Sequence, residues 1–71
     1  MKWSRLRPLF QSMFFSLGPQ EIRRKTGLAM GTIYKLVEDQ DAHPHPRTVR
    51  DVMVALEEWQ PGIYETEQAS R

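Results

Sequence analysis

No cysteine occurs in the 71 residues, so the chain has no disulfide, no cysteine-based zinc finger and no thiol nucleophile. Without such staples, one domain of this length sits near the lower limit for a self-supporting core. No apolar run approaches the ~18–20 residues needed to cross a bilayer. The opening stretch from Met1 to Pro8, with Lys2, Arg5 and Arg7 in it, lacks the uninterrupted apolar segment of a secretory signal. A small soluble protein without membrane contact is expected. Enzymatic signals are missing too. There is no phosphate-binding loop, no Ser/His/Asp spacing and no paired carboxylates, and the core is too small to hide a substrate. No enzyme is expected.

The net charge of +1 conceals a gradient. Residues 1–35 hold Lys2, Arg5, Arg7, Arg23, Arg24, Lys25 and Lys35 against Glu21 alone. Residues 36–71 hold Arg47, Arg50 and Arg71 against eight carboxylates, among them Glu38, Asp51, Glu57 and Glu58. A basic half of this kind suits a polyanion, with the acidic half turned away. Uneven solvated charge is the plainer alternative for so small a domain.

The most specific segment is Pro19 to Leu36. An eight-residue helix is predicted from Pro19 to Thr26, ending at Gly27, where a glycine takes positive φ without steric cost. Leu28 is the expected buried residue of the turn. A second helix, over residues 29–38, then places Ile33, Leu36 and Val37 on one face, with Ile22 meeting Leu28 and Ile33 across the angle. Two short helices locked in this way form a helix-turn-helix and present the second as a rod for the major groove.

Pro8 suits the first position of a helix better than its interior, so helix one is predicted from Pro8 to Leu17. Leu9, Phe10, Met13, Phe14 and Leu17 fall on its core face, and Phe15 is expected to be partly buried against helix four. Gly18 and Pro19 supply the cap and first residue of helix two, and Glu21 favours its positive end. The segment from Asp39 to Pro46 has no regular period. Helix four follows from Pro46 to about Trp59, with Val49, Val52, Met53, Leu56 and Trp59 inward, and the Gln60-Pro61-Gly62 run ends it. The expected fold is all-α and compact: four helices, or five, forming a helix-turn-helix domain. Its expected parts are a basic arm over residues 1–7, the domain proper over 8–64 and a polar tail over 65–71.

With this arrangement the chain resembles the DNA-binding domains of phage Cro and lambda-type repressors, a family also found in bacterial regulators and antitoxins. The resemblance runs from Gly18 to Leu56. It rests on Thr26-Gly27-Leu28 at the turn, Thr32-Ile33 in the second helix, and Pro44-His45-Pro46-Arg47-Thr48-Val49 leading to Ala55-Leu56. His45 stands where the family often has a capping serine. Arg23 stands where alanine is usual at the close approach of the two helices, so its stem must run outward or the helices must splay. Val37 replaces a frequent glutamate.

The resemblance implies that base edges are read from Ala29, Met30, Gly31, Tyr34 and Lys35. Lys35 can donate to guanine O6 and N7, and Ala29 or Met30 can pack on a thymine methyl. Gly31 permits close approach of the backbone. Tyr34 either touches DNA or is a half-buried surface aromatic. The start of helix two, at Pro19 and Gln20, is the family's phosphate site. Thr32, Arg23, Arg24 and Arg47 are further phosphate candidates, although Arg23, Arg24 and Lys25 cannot all face one way at about 100° per residue. Lys2, Arg5 and Arg7 are expected to lie along the backbone as an arm. His43 and His45, with Asp39 and Asp41 nearby, do not make a convincing zinc site, since three or four ligands in fixed geometry are required. His45 is read as a helix cap. No metal and no cofactor are expected.

Trp59, Ile63 and Tyr64 either form a dimer contact or close the bottom of the core. The function expected is a sequence-specific transcriptional regulator of phage or bacterial repressor type. It would bind double-stranded operator DNA as a homodimer on a palindromic site, in the cytoplasm at the nucleoid. Two alternatives stand beside it: an antitoxin-like or anti-repressor module that grips another protein, and the DNA-targeting domain of a recombinase or transposase.

Overall fold

A computed structural model describes residues 2–64. The expected polar tail, 65–71, lies outside the described residues. Four helices follow one another: α1 (Trp3–Leu17), α2 (Pro19–Thr26), α3 (Met30–Glu38) and α4 (Pro46–Trp59). No strand occurs among the described residues. Helical backbone resumes at Ile63 and Tyr64, the last residues described. The all-α expectation holds, and three of the four helices begin within a residue of the place the sequence indicates.

The first helix departs from expectation. It starts at Trp3 and carries Pro8 in its interior, so residues 3–7 are helix and not an arm. Leu6, Phe10 and Met13 continue one buried stripe through the proline, and Trp3 packs on Phe10 with ring centroids 5.9 Å apart. An interior proline costs roughly 3 kcal/mol. Burying Leu6 and the Trp3 ring returns about 1.5–3 kcal/mol each, which offsets it. Pro8 and Ser4, four residues earlier, are both exposed, so the carbonyl that loses its amide partner is on the solvent side.

The core joins Leu6, Phe10, Met13, Ile22, Ile33, Leu36, Val37, Val52, Ala55 and Leu56, with Ala42 of the α3–α4 loop added. Leu9, Phe14, Leu17, Leu28, Val49, Met53 and Trp59 surround it, partly buried. α2 packs on each of the other three helices, and α1 packs on α3 and α4. Phe15 corrects a second expectation: it is 77% exposed. It lies off the buried stripe of α1 and meets the Phe14 ring edge-on, at 5.7 Å between centroids.

Arg7 is the third correction. Its guanidinium does not extend toward solvent but donates to the carbonyls of Leu36 at 3.2 Å and Val37 at 2.8 Å. The Gln11 side-chain amide also donates to the Val37 carbonyl, at 2.9 Å. The last carbonyls of a helix have no partner inside it, and its C-terminus is negative. A cation from α1 therefore satisfies and neutralises the end of α3. Further along α1, Phe14 meets Tyr34, so the two helices run in opposite senses.

Candidate nucleic-acid interface

The turn between α2 and α3 is built as the sequence demands. Gly27 takes the left-handed conformation (φ 76°, ψ 7°) and its N–H returns to the Arg23 carbonyl at 2.8 Å. Thr26 donates its hydroxyl to the Ile22 carbonyl at 2.7 Å and accepts from the Leu28 N–H at 3.2 Å. Those bonds hold the turn. Ile22 and Ile33 are fully buried in the angle, while Leu28 is only partly covered. At the other end of α2, Gly18 is the cap (φ 87°) and Pro19 the first helical residue.

α3 presents a continuous outer face. Ala29, its cap, is exposed, as are Gly31, Thr32, Tyr34, Lys35 and Glu38. Met30 is half-buried. At about 100° per residue, Gly31 and Lys35 stand at the centre of this face, opposite Ile33, Leu36 and Val37. Tyr34 is 41% exposed and rests edge-on against Phe14, with centroids 5.7 Å apart. One side of its ring is therefore fixed by packing and the other is free. Gly31 has ordinary helical backbone, and a Cβ placed on it would meet nothing within 4 Å. The fold gives no internal reason for a glycine there.

A shallow polar depression flanks α3 on each side. Gln20, Arg23 and Arg24 surround Met30 on the α2 side. Arg23 is exposed, so its stem does run outward and the helix pair stays closed. Arg24 is ion-paired with Glu21 at 3.2 Å, and Glu21 stands in the first turn of α2 without a side-chain bond to the cap. On the other flank, Thr32 and Lys35 join His43, His45 and Thr48 in a cleft between α3 and the loop leading to α4. His45 caps α4: its Nδ1 accepts from the Arg47 N–H at 3.0 Å. Accepting through Nδ1 requires that nitrogen to carry no proton, which leaves Nε2–H as a donor. Arg47, in the first turn of α4, is exposed. Asp39 turns the loop by accepting from the Asp41 N–H at 2.9 Å.

The structure thus brings together two groups of sequence-predicted residues around α3: Gln20, Arg23, Arg24 and Met30 on one flank, Thr32 and Lys35 on the other. Lys2, the extended cap residue of α1, and Arg5, in its first turn, are exposed, and Arg7 is engaged at the end of α3. Thr48 was not singled out by sequence, although its place as the third residue of a proline-started helix turns it back toward the loop. Among the described residues, no group of three or more His, Cys, Asp or Glu side chains is placed to hold a metal ion.

The candidates for self-contact sit differently. Trp59, Ile63 and Tyr64 are partly buried against the core. The Tyr64 hydroxyl donates to the Met53 carbonyl at 2.9 Å. Burial, and then the nearby Glu57 carboxylate, raise its pKa above the ordinary value of 10.0. These three residues close the lower end of the domain. No helix among the described residues is long and apolar enough to cross a membrane. The chain matches no protein-family model, no curated protein and no solved structure.

Proposed function

We propose that this protein is a sequence-specific DNA-binding transcriptional regulator of the phage or bacterial repressor type, reading operator DNA with α3. One observation carries the reading: α3 is held at a fixed angle by α2 and by α1 while its outer face, centred on Gly31 and Lys35, stays open. A helix offered in this way fits the major groove, where each base pair shows a distinct pattern of donors and acceptors. The flanking depressions suit the two phosphate backbones that border the groove. Gln20 and Arg23 serve one rim. Thr32 and Arg47, with the Nε2–H of His45, serve the other. The resemblance of residues 18–56 to Cro and lambda-type repressors supports the same assignment.

One α3 covers only a few base pairs, so the regulator acts as a homodimer on a two-fold site in the nucleoid-bearing cytoplasm. Selection of bound sequences from random duplex DNA tests the reading directly. A recovered consensus with two-fold symmetry is the expected result, and Lys35→Ala relaxes it at one base pair for a loss of ~1–3 kcal/mol. Recovery of unselected sequence removes the duplex as the specific ligand. A second reading, a module that grips another protein, draws on the acidic second half of the chain and on Val54, which is 53% exposed on α4.

A further inference from the structure

We infer that the outward face of α4 is a self-association surface, on which a second copy of the chain lies antiparallel. Val54 stands at the two-fold axis, and Arg50 faces Glu57 and Glu58 of the second copy. The inference deepens the two-fold arrangement proposed above and rests on that reading only for the use to which the dimer is put.

An uncovered apolar strip is the first support. Val54 lies in the middle of α4 with half its surface exposed. With Val49, Arg50, Met53, Glu57 and Tyr64 it lines an open groove along the helix.

The order of charge along α4 is the second. Arg47 and Arg50 lie in its early turns and Glu57 and Glu58 in its last, with no acidic residue in the first turn and no basic residue in the last. That order opposes the helix dipole, which favours carboxylates at the N-terminus and cations at the C-terminus. α4 by itself is destabilised by it. An antiparallel copy reverses the situation, because each basic end then lies beside an acidic end and the two dipoles oppose one another.

Spacing is the third. Residues three and four apart share a helix face, so Arg50, Val54, Glu57 and Glu58 project from one side of α4. A two-fold axis through Val54 lays the basic half of one helix on the acidic half of the other, and an isologous interface must be self-complementary in this way. Neither Arg50 nor Glu58 makes an ion pair among the described residues. Glu57 accepts from the Gly62 N–H at 3.1 Å through one oxygen. Its second oxygen remains for a cation.

Sedimentation of the full chain without DNA tests this. The expected wild-type mass is twice the 8.4 kDa of one chain. Val54→Asp and Arg50→Glu should each weaken the dimer by about tenfold or more, as expected for disrupting complementary contacts at an interface. Both side chains are exposed, so far-UV circular dichroism of the dilute variants should match the parent. The decisive arm mixes R50E with the E57R/E58R double variant. Each homodimer is then repulsive, but the mixture restores both charge contacts and should sediment as a heterodimer. A monomeric wild type, an R50E dimer as tight as the parent, or a mixture that stays monomeric overturns the inference. Duplex binding is measured separately: a monomer that still selects a sequence sinks this inference alone, whereas a dimer that selects none sinks the DNA reading alone.

Discussion

Arg7 and Val37 stand 30 residues apart in sequence and meet at 2.8 Å, the guanidinium of α1 donating to the carbonyl near the end of α3. The Leu36 carbonyl and the Gln11 amide complete the cluster at 3.2 and 2.9 Å. The helix proposed to read DNA is therefore fastened at its far end by α1, while α2 fastens its start through the Gly27 turn. A basic residue that sequence assigns to a flexible arm instead fastens the end of α3.

Arg7→Met should keep most of the packing of the stem, leave the Leu36 carbonyl without its side-chain partner and leave the Val37 carbonyl to Gln11 alone. Unmade bonds of this kind cost about 1–3 kcal/mol, which denaturant melts can resolve. The salt dependence of duplex binding should stay as in the parent. A normal melt with a shallower salt slope would return Arg7 to the phosphate backbone.

The sequence made α2 and α4 legible because each begins or ends at a residue with few choices, and α3 because it follows the turn at Gly27. Pro19 and Pro46 have fixed φ and no N–H to place, and Gly27 takes a backbone conformation that costs other residues. The start of α1 was not legible for the same reason turned around. Local propensity makes Pro8 a boundary, yet Trp3 and Leu6 gain more by burial than the proline loses. That gain exists only once Phe10 and the core that α4 packs against α1 are in place, so no window around residues 1–8 contains it. Arg7 is likewise tied to residues far away in sequence. At the interface, the outer face of α3 follows from helical period alone, whereas the joining of Lys35 to His43 and Thr48 depends on how a proline-rich loop folds back.

Ile33→Ala should cost ~2–5 kcal/mol, since the side chain is fully buried between α2 and α3. Leu28→Ala should cost less, because Leu28 is only partly covered. Equal melting of the Ile33 variant and the parent would mean that this angle is not packed as described.

Gly31→Ala separates stability from recognition. A glycine inside a helix is less stable than alanine by roughly 0.5–1 kcal/mol, and no neighbour here would obstruct the added methyl. The variant should therefore melt higher, by about 4–8 °C per kcal/mol gained in a domain of this size. Specific duplex binding should weaken, because the backbone of α3 can no longer approach the base edges as closely. Tighter binding by the more stable variant would show that the glycine serves no contact.

Tyr64 should make stability fall at high pH. Its raised pKa means that the native state favours the neutral phenol, which donates to the Met53 carbonyl. The contribution is complete below the unfolded-state value near 10 and is lost as pH rises through the higher native value. Tyr64→Phe should cost about 0.5–1.5 kcal/mol at neutral pH through the missing hydrogen bond. Above about pH 10 the gap between variant and parent should narrow. A gap independent of pH would detach the hydroxyl from Met53.

Salt should govern duplex affinity, and the structure limits how strongly. Each phosphate neutralised contributes about −0.9 to the slope of log affinity against log salt concentration. Of the cations in residues 1–35, Arg7 is engaged with α3 and Arg24 with Glu21. Arg23 flanks α3 and Lys35 lies on its outer face, and Arg47 is exposed in the first turn of α4. Lys2 caps α1 and Arg5 sits on its first turn, which lies near the C-terminal end of α3 because Arg7 bonds there. A slope of roughly −2 to −4 per chain is therefore expected. Lys2→Ala with Arg5→Ala should change that slope by at most about one unit and leave the preferred sequence untouched, since phosphate contacts position without reading bases. Deletion of residues 1–6, by contrast, removes Trp3 and Leu6 and should unfold the domain. A flat salt dependence in the intact protein would leave the acidic half of the chain and the exposed face of α4 as the surfaces that matter, with a protein as the partner.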